Sequence, residues 1–282
     1  MIKSTSLIFI YAAALMISCT SQPESNSNTE IEEKVTEQNP KEMLSEAYQL
    51  FKEGKDEESV RLAEEVLAIG KETNNDTLVG RALTSLCRNA QRTLDTARLA
   101  ELSQGLKELA QTTGNKKWLM YRAHQNAEMW RLVGNMKKAE SFYNESMSIS
   151  FETGSMGMYT IDHFNKSFVS TATGNFEEAN SLIKKYYALR YESDSVYEDA
   201  YGLIALSYLL EQQKNYPGAH EVATVTRRLF KEQNLFPEPP DEKPLLKVEY
   251  KVKDQLDSVT LEKINKQSTS ESVASLLEKY LK

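Results

Sequence analysis

Short side chains recur along the chain about every 40 residues, in two parallel series. Neighbouring members of each series are 38, 42, 40 and 40 residues apart, and the second series follows the first by 12 residues throughout. Small residues at fixed positions let two helices approach to about 8–10 Å. The pattern therefore predicts repeated helix pairs. The first series comprises Ala47, Ser85, Ala127, Ser167 and Ser207, and the second comprises Ser59, Ala97, Ala139, Ala179 and Ala219.

Apolar residues around these positions follow a helical period. After Ala179, the residues Leu182, Ile183, Tyr186 and Tyr187 fall at the spacings i+3, i+4, i+7 and i+8, which place them on one face of a helix. Short polar turns such as GKD, GNM and GNF separate the two helices of a pair. The sequence therefore predicts an all-α protein with about five helix-turn-helix units between residues 40 and 236.

The repeating unit resembles the tetratricopeptide repeat in a longer form of about 40 residues. Three runs carry the resemblance: GKDEESVRLAEEVLAIGKETNN, VGNMKKAESFYNESMSISFETG and TGNFEEANSLIKKYYAL. The chain departs from the family pattern at Ser59, where alanine is usual, and at residues 92–94 (RTL), where the turn lacks glycine. The resemblance implies a right-handed solenoid of TPR-like repeats, with the first helix of each pair on the concave face and a role in protein–protein interaction.

The same resemblance implies a partner-binding groove on the concave face. Its lining is expected to be largely aromatic and aliphatic, which would suit an amphipathic helix or an apolar peptide. Two alternatives stay open: the helices bury these side chains within the solenoid, or residues 245–282 of the chain itself fill the groove. The candidate groove residues are Tyr121, His124, Glu128, Arg131, Phe164, Phe168, Tyr201, Ile204 and Tyr208, with Ile161, Thr171 and Glu211 on the same faces and Leu44, Tyr48, Phe51, Val79, Ala82, Leu86 and Asn89 in the first two units.

Prolines interrupt the repeat pattern after residue 236. Four of the seven prolines fall at positions 237, 239, 240 and 244, and proline lacks the amide donor that a helix interior needs. Residues 237–244 are therefore expected to form a stiff, extended connector, with a C-terminal helical segment over residues 245–282. The apolar spacings of 3, 4, 4 and 3 in residues 245–259 favour a helix there, although the alternation in residues 246–252 would also allow a strand.

The N-terminal residues have the pattern of a bacterial lipoprotein signal. Residues 7–17 are uncharged and mostly apolar, a length typical of a signal peptide and too short to span a bilayer. The run that follows, ending in Ser18 and Cys19, resembles a lipobox, which implies that Cys19 becomes the diacylated N-terminus. Residues 1–18 are then the signal peptide, and residues 19–39 are the lipidated cysteine and a disordered, acidic tether. An ordinary signal peptide or an N-terminal anchor helix is the alternative.

These features together predict a location and a class of function. A lipid anchor would hold the protein on a membrane of the bacterial cell envelope, and Thr20, where aspartate retains some lipoproteins at the inner membrane, favours the outer membrane. The expected function is that of a membrane-anchored interaction scaffold or adaptor with a protein or peptide partner. The alternative is an accessory solute- or glycan-binding lipoprotein associated with an outer-membrane transporter. The sequence does not indicate the oligomeric state.

The net charge of the chain and the catalytic motifs that it lacks argue against two further classes of function, nucleic-acid binding and enzymatic activity. The chain has 34 basic and 41 acidic side chains, a net charge of -7, whereas nucleic-acid-binding proteins usually carry a basic surface. The spacings of phosphate-binding loops, dinucleotide-binding turns, nucleophile elbows and zinc proteases do not occur in the sequence. We therefore expect neither a cofactor nor enzymatic activity.

Two polar positions could carry chemistry, and each has a simpler interpretation. His124 and Glu128 are four residues apart and could supply two metal ligands, but they are expected to be surface polar residues beside Arg131. Cys87 would have no disulfide partner once Cys19 is acylated. A buried free thiol is the expected state of Cys87, and a redox site is the alternative.

Overall fold

The computed structural model of the protein describes residues 39–190 and 196–281. The signal peptide, Cys19 and nearly all of the tether lie outside the described residues and stay predictions. The described part contains thirteen helices and no strand, which confirms the all-α prediction. The helices are α1 (Pro40–Glu53), α2 (Asp56–Glu72), α3 (Asp76–Arg92), α4 (Thr96–Thr113), α5 (Lys117–Leu132), α6 (Met136–Glu152), α7 (Met156–Ala172), α8 (Phe176–Arg190), α9 (Val196–Gln212), α10 (Tyr216–Glu232), α11 (Pro239–Gln255), α12 (Ser258–Ser268) and α13 (Val273–Tyr280).

Helices α1 to α10 form five helix-turn-helix pairs, as the spacing of the small residues predicts. From the second pair onward, the first helix of each pair packs against both helices of the preceding pair. Each pair can bury its apolar face only between its neighbours, and this stacking is what makes a helical-repeat solenoid. The first helices α1, α3, α5, α7 and α9 consequently form one continuous layer.

The turns within the pairs share one backbone conformation. Gly54, Gly134 and Gly174 have φ values of 78°, 84° and 79°, a left-handed conformation that glycine adopts at little cost. In the second and fifth pairs this position is held by Leu94 and Lys214, with φ values of 56° and 63°. The missing glycine in the second unit is thus accommodated by a non-glycine residue in the same conformation.

In four of the five pairs, the small residues lie where the helices approach one another. Ala47, Ala139 and Ala179 are each fully buried. In the second pair the prediction is wrong, because Ala97 is exposed and the buried residue 40 positions after Ser59 is Leu99.

Ser59, which stands in place of the usual alanine, donates a hydrogen bond from Oγ to the backbone oxygen of Ala47 (2.8 Å) and accepts one from Nδ2 of Asn89 (3.1 Å). These two hydrogen bonds link α2 to both α1 and α3. They also satisfy the Ser59 hydroxyl in a position that has no access to water.

The proline-rich stretch starts a helix, so the expectation of an extended connector is wrong from residue 239 onward. Pro239 and Pro240 lie at the first positions of α11, where the amide groups have no intrahelical partner and proline is tolerated. Only Pro244 lies deeper in the helix. Helix α11 packs against α9 and α10 just as α9 packs against α7 and α8. It therefore acts as the first helix of a sixth unit.

Two shorter helices pack beyond α11 against α10. The side chain of Asp257 caps α12 by accepting a hydrogen bond from the amide of Thr260 (2.8 Å), and Ser272 caps α13. Leu276 of α13 is fully buried, and Lys279 pairs with Glu221 of α10 (2.8 Å). In the part of the chain that the structure describes, no helix combines the length and apolar character needed to cross a membrane.

Candidate functional site

The residues of the predicted groove divide into a buried part and an open part. In the buried part, Phe168, Ile204 and Tyr208 are 4%, 0% and 9% exposed. They belong to the same apolar core as Leu245 and Val248 of α11. The C-terminal segment thus covers this end of the predicted groove, and these three side chains are core residues.

The open part is a pocket of about 490 Å³ bounded by α3, α5, α7, α8, α9 and the start of α11. This volume falls within the range of about 300–1,000 Å³ that is typical of ligand sites. The buried predicted residue Arg131 lies behind the pocket, outside its lining. Six predicted groove residues line the pocket: Tyr121, His124, Glu128, Ile161, Phe164 and Tyr201.

One wall of the pocket is aromatic and aliphatic. The ring of Phe164 meets the ring of Tyr201 edge-on with centroids 5.9 Å apart, and the ring of Tyr186 lies 5.6 Å from Phe164. Ile161 and Met156 also line the pocket and remain 45% and 42% exposed. These two side chains offer apolar surface that is open to solvent, whereas Phe164 and Tyr201, at 5% and 8% exposed, are buried members of the same apolar core as Phe168.

Behind the pocket, the charged residues of α5 form buried ion pairs. Nδ1 of His124 lies 2.7 Å from Oδ1 of the fully buried Asp162, and Arg131 bonds Glu128 at 2.6 Å. The hydroxyl of Tyr143 also donates to Glu128. The expectation that His124 and Glu128 are surface residues is wrong, because α7 and the start of α11 pack over this face of α5.

The ion pairs outweigh burial in setting the charge of these groups. Burial opposes ionisation of Glu128, but Arg131 and His124 overcome it and lower the pKa of Glu128. Burial likewise opposes the charged form of His124, but Asp162 overcomes it and raises the pKa of His124. These side chains form ion pairs with one another. Within the described ranges, no three metal-ligating side chains converge.

Asp241, near the start of α11, is in a different electrostatic position. Its Oδ1 lies 3.7 Å from Nη2 of Arg131, beyond hydrogen-bond distance, and has no hydrogen-bond partner among the described residues. Burial raises the pKa of Asp241 to about 8, although Arg131 opposes this shift. The pocket thus contains one carboxyl group whose ionised form is poorly compensated.

The segment before α11 closes one side of the pocket. The hydroxyl of Tyr48 in α1 donates to the carboxylate of Glu238, and the amide of Glu238 donates to the hydroxyl of Tyr201 (2.9 Å). The guanidinium of Arg88 lies over the ring of Tyr48, 4.8 Å from its centroid. These contacts connect the first helix of the chain to the start of α11.

Cys87 takes no part in this site. It is fully buried and unbridged, as the sequence predicts. Burial raises the pKa of the Cys87 thiol to about 12. The thiol is therefore protonated at neutral pH, and a protonated, buried thiol is a poor nucleophile.

Sequence reasoning missed the acidic residues that complete the site. Asp162 is the only acidic residue of α7, and that isolated carboxylate is the available signal. Glu238 and Asp241 fall in the stretch that was expected to be an extended connector. The spacing of His124, Glu128 and Arg131 did identify the correct face of α5, although it gave no indication of their burial.

Comparison with known proteins identifies no relative from the sequence. No protein-family model matches the chain, and no curated protein matches it. Two solved structures are similar to it, both of a Podosopora anserina protein assigned as a kinesin light chain with nearly identical TPR-like repeats, one of them a variant. They show 15% and 16% identity and TM-scores of 0.47 and 0.45, and each match covers 70% of this chain and 98% of that chain. At this level of similarity, the repeat fold of the present chain rests on its own stacked helix pairs.

Proposed function

We propose that the protein is a non-enzymatic interaction protein that binds a short peptide segment of a partner in the pocket between α3, α5, α7 and α11. The observation that carries this proposal is the solvent-open pocket of about 490 Å³ on the first-helix layer. Helical-repeat proteins commonly use this concave layer for binding. The volume fits one or two side chains of a short segment better than an amphipathic helix, which is about 10–12 Å wide.

A charge placed at the rim of the pocket tests this function. Ile161→Glu is expected to abolish recovery of the partner from detergent-solubilised envelope, because an ionised carboxylate would replace apolar contact surface. Ile161 is 45% exposed, so the melting temperature should change by less than about 3 °C. Val259→Glu is the matched control, since Val259 is an exposed β-branched residue on α12. Equal recovery with both variants would show that the pocket does not bind the partner.

The second part of the proposal is that Cys19 carries a lipid that holds the protein on the envelope, with the outer membrane as the favoured site. Its support is the apolar run followed by Ser18 and Cys19. Cells grown with a labelled fatty acid should label the wild-type protein and the Cys87→Ala variant, whereas Cys19→Ala should remain unlabelled. The two variants remove the two cysteines of the chain one at a time. Label that persists in Cys19→Ala would contradict lipidation at this site.

A second candidate function is that of an accessory solute- or glycan-binding lipoprotein. The pocket volume supports it as well, because it falls within the range for small-molecule sites. The same recovery experiment separates the two functions. The solute-binding function would be favoured if the Ile161→Glu variant still recovers a neighbouring outer-membrane transporter but no longer binds solute.

A further inference from the structure

Acidic groups outnumber the cations that pair with them at the base of the pocket. Asp162 is paired with His124, and Glu128 with Arg131. Two further carboxyl groups, from Glu238 and Asp241, line the pocket at the start of α11. Of these six groups, Glu128, His124, Glu238 and Asp241 line the pocket, and Asp162 and Arg131 lie behind it.

The remaining arginines of the pocket do not compensate this excess. Arg190 pairs with Asp199 at 2.5 Å. Arg88 stacks on the ring of Tyr48 and forms no ion pair with the described carboxylates. The carboxyl group of Asp241 is therefore left with Arg131 at 3.7 Å, and that guanidinium is already bonded to Glu128.

Asp241 brings an incompletely compensated carboxyl group to the edge of the pocket. The residue is 8% exposed, lines the pocket, and has no hydrogen-bond partner for Oδ1 in the described ranges. A buried acceptor without a partner is unfavourable. Oδ1 itself lies beside Arg131, so a ligand that brings positive charge into the pocket would act by compensating the carboxylate as a whole.

The aromatic wall favours the same class of ligand. Tyr121, Phe164 and Tyr201 all line the pocket, and aromatic faces attract alkylammonium and guanidinium groups. We infer that the pocket receives an alkylammonium or guanidinium group on an apolar stem, with the Asp241 carboxylate as its counter-ion. This inference rests on the proposed function where the group is the lysine or arginine side chain of a partner peptide, and a free amine is the other source of the same chemistry.

The inference predicts a particular dependence on pH. Because burial raises the pKa of Asp241 to about 8, a cation binds to the group only as it loses its proton. Affinity for a lysine-containing ligand should therefore rise at least tenfold between pH 6 and pH 8.5. The pKa of His124 is also raised, so loss of the His124 proton would add to the rise in affinity. The Asp241→Asn variant isolates the contribution of Asp241 to this rise. The other charged groups that act on Asp241 are Glu128 and Arg131 of α5 and Glu238 before α11. Tyr201 of α9 lines the same pocket, and Arg227 of α10 bonds Glu242.

The test uses three pools of capped pentapeptides with random flanks and a central lysine, norleucine or glutamate. Norleucine keeps the aliphatic stem of lysine and lacks its charge. Binding of each pool, and of free n-butylamine, is measured on the full chain, on Asp241→Asn and on Glu262→Gln. Glu262 is an exposed residue of α12, so at pH 8.5, where Asp241 is largely ionised and the binding is measured, its substitution makes the same charge change away from the pocket.

We expect the lysine pool to bind at least tenfold more tightly than the norleucine pool, and this preference to disappear in Asp241→Asn but not in Glu262→Gln. Equal binding of the lysine and norleucine pools would overturn the cation inference and leave peptide binding intact. Preferential binding of the glutamate pool would overturn it in favour of an anion at Arg88. Binding of n-butylamine alone, dependent on Asp241, would support the cation inference and contradict the proposed peptide partner. No binding of any probe would overturn both.

Discussion

Replacement of Arg131 with methionine is expected to lower the free energy of unfolding by about 3–5 kcal/mol at neutral pH, the usual cost of removing one partner of a buried ion pair. Its guanidinium bonds Glu128 at 2.6 Å and lies 3.7 Å from Asp241. Methionine keeps much of the apolar contact with the ring of Phe168, which the guanidinium overlies at 5.2 Å. The loss therefore measures chiefly the uncompensated carboxylate of Glu128 rather than a cavity.

The pH dependence of this loss identifies its electrostatic origin. In the wild-type protein, the lowered pKa of Glu128 means that its ion pair stabilises the fold above about pH 4.5 and loses this effect as the pH falls through the folded-state pKa. In Arg131→Met, the carboxyl groups would take up protons, so the deficit should shrink as the pH approaches 4. Chemical denaturation at pH 4, 5.5 and 7 measures it.

Arg81→Met is the matched control for this experiment. Arg81 is exposed on α3, so its replacement should change stability by less than about 0.5 kcal/mol at each pH. A loss of the same size in both variants, or a loss in Arg131→Met that does not depend on pH, would contradict the role assigned to the ion pairs.

Two glycine-to-alanine substitutions are expected to change stability in opposite directions. A Cβ on Gly80 of α3 would lie 2.6 Å from Cε3 of Trp118, with two further ring carbons closer. Trp118 is 4% exposed and is held in the core of α3, α4 and α5, so its ring cannot move away freely. The overpacking should exceed the helix-propensity gain of about 0.5–1 kcal/mol and give a net loss of about 1–3 kcal/mol.

Gly105→Ala in α4 provides the matched comparison. A Cβ there would meet the methyl groups of Leu83 at 3.4 and 3.5 Å, which is ordinary van der Waals contact. The variant should gain about 0.5–1 kcal/mol from helix propensity. Urea denaturation of both variants measures whether each substitution raises or lowers the free energy of unfolding. A stabilised Gly80→Ala variant would show that α3 and α5 do not pack through this glycine.

The repeat architecture was accessible from the sequence because it depends on local signals that recur. Helical period, positive-φ turns and small residues such as Ala139 and Ala179 act within one helix pair, and the next pair repeats them. The helical spacing of residues 245–259 predicts most of α11, but its start is misplaced, because the effect of Pro239 and Pro240 depends on whether they stand at the start of a helix or inside it.

The pocket was only partly predictable, since it depends on how distant elements meet. The face of α5 that carries His124 and Glu128 followed from spacing alone. Their burial depends on Asp162 of α7, 38 residues from His124, and the pocket is completed by Asp241 after a proline-rich stretch. Helical periodicity indicates which residues share a face, but not whether another helix covers that face.

The hydrogen bond from Tyr48 to Glu238 joins residues 190 positions apart. In most repeat arrays each unit touches only its neighbours, so that the ends can fray independently and unfolding proceeds piecemeal. Here this hydrogen bond joins α1 to the beginning of the sixth unit, and its acceptor Glu238 also lines the pocket. Fraying at one terminus therefore removes a contact of the other, and the array gains cooperativity that its linear order of repeats would not provide.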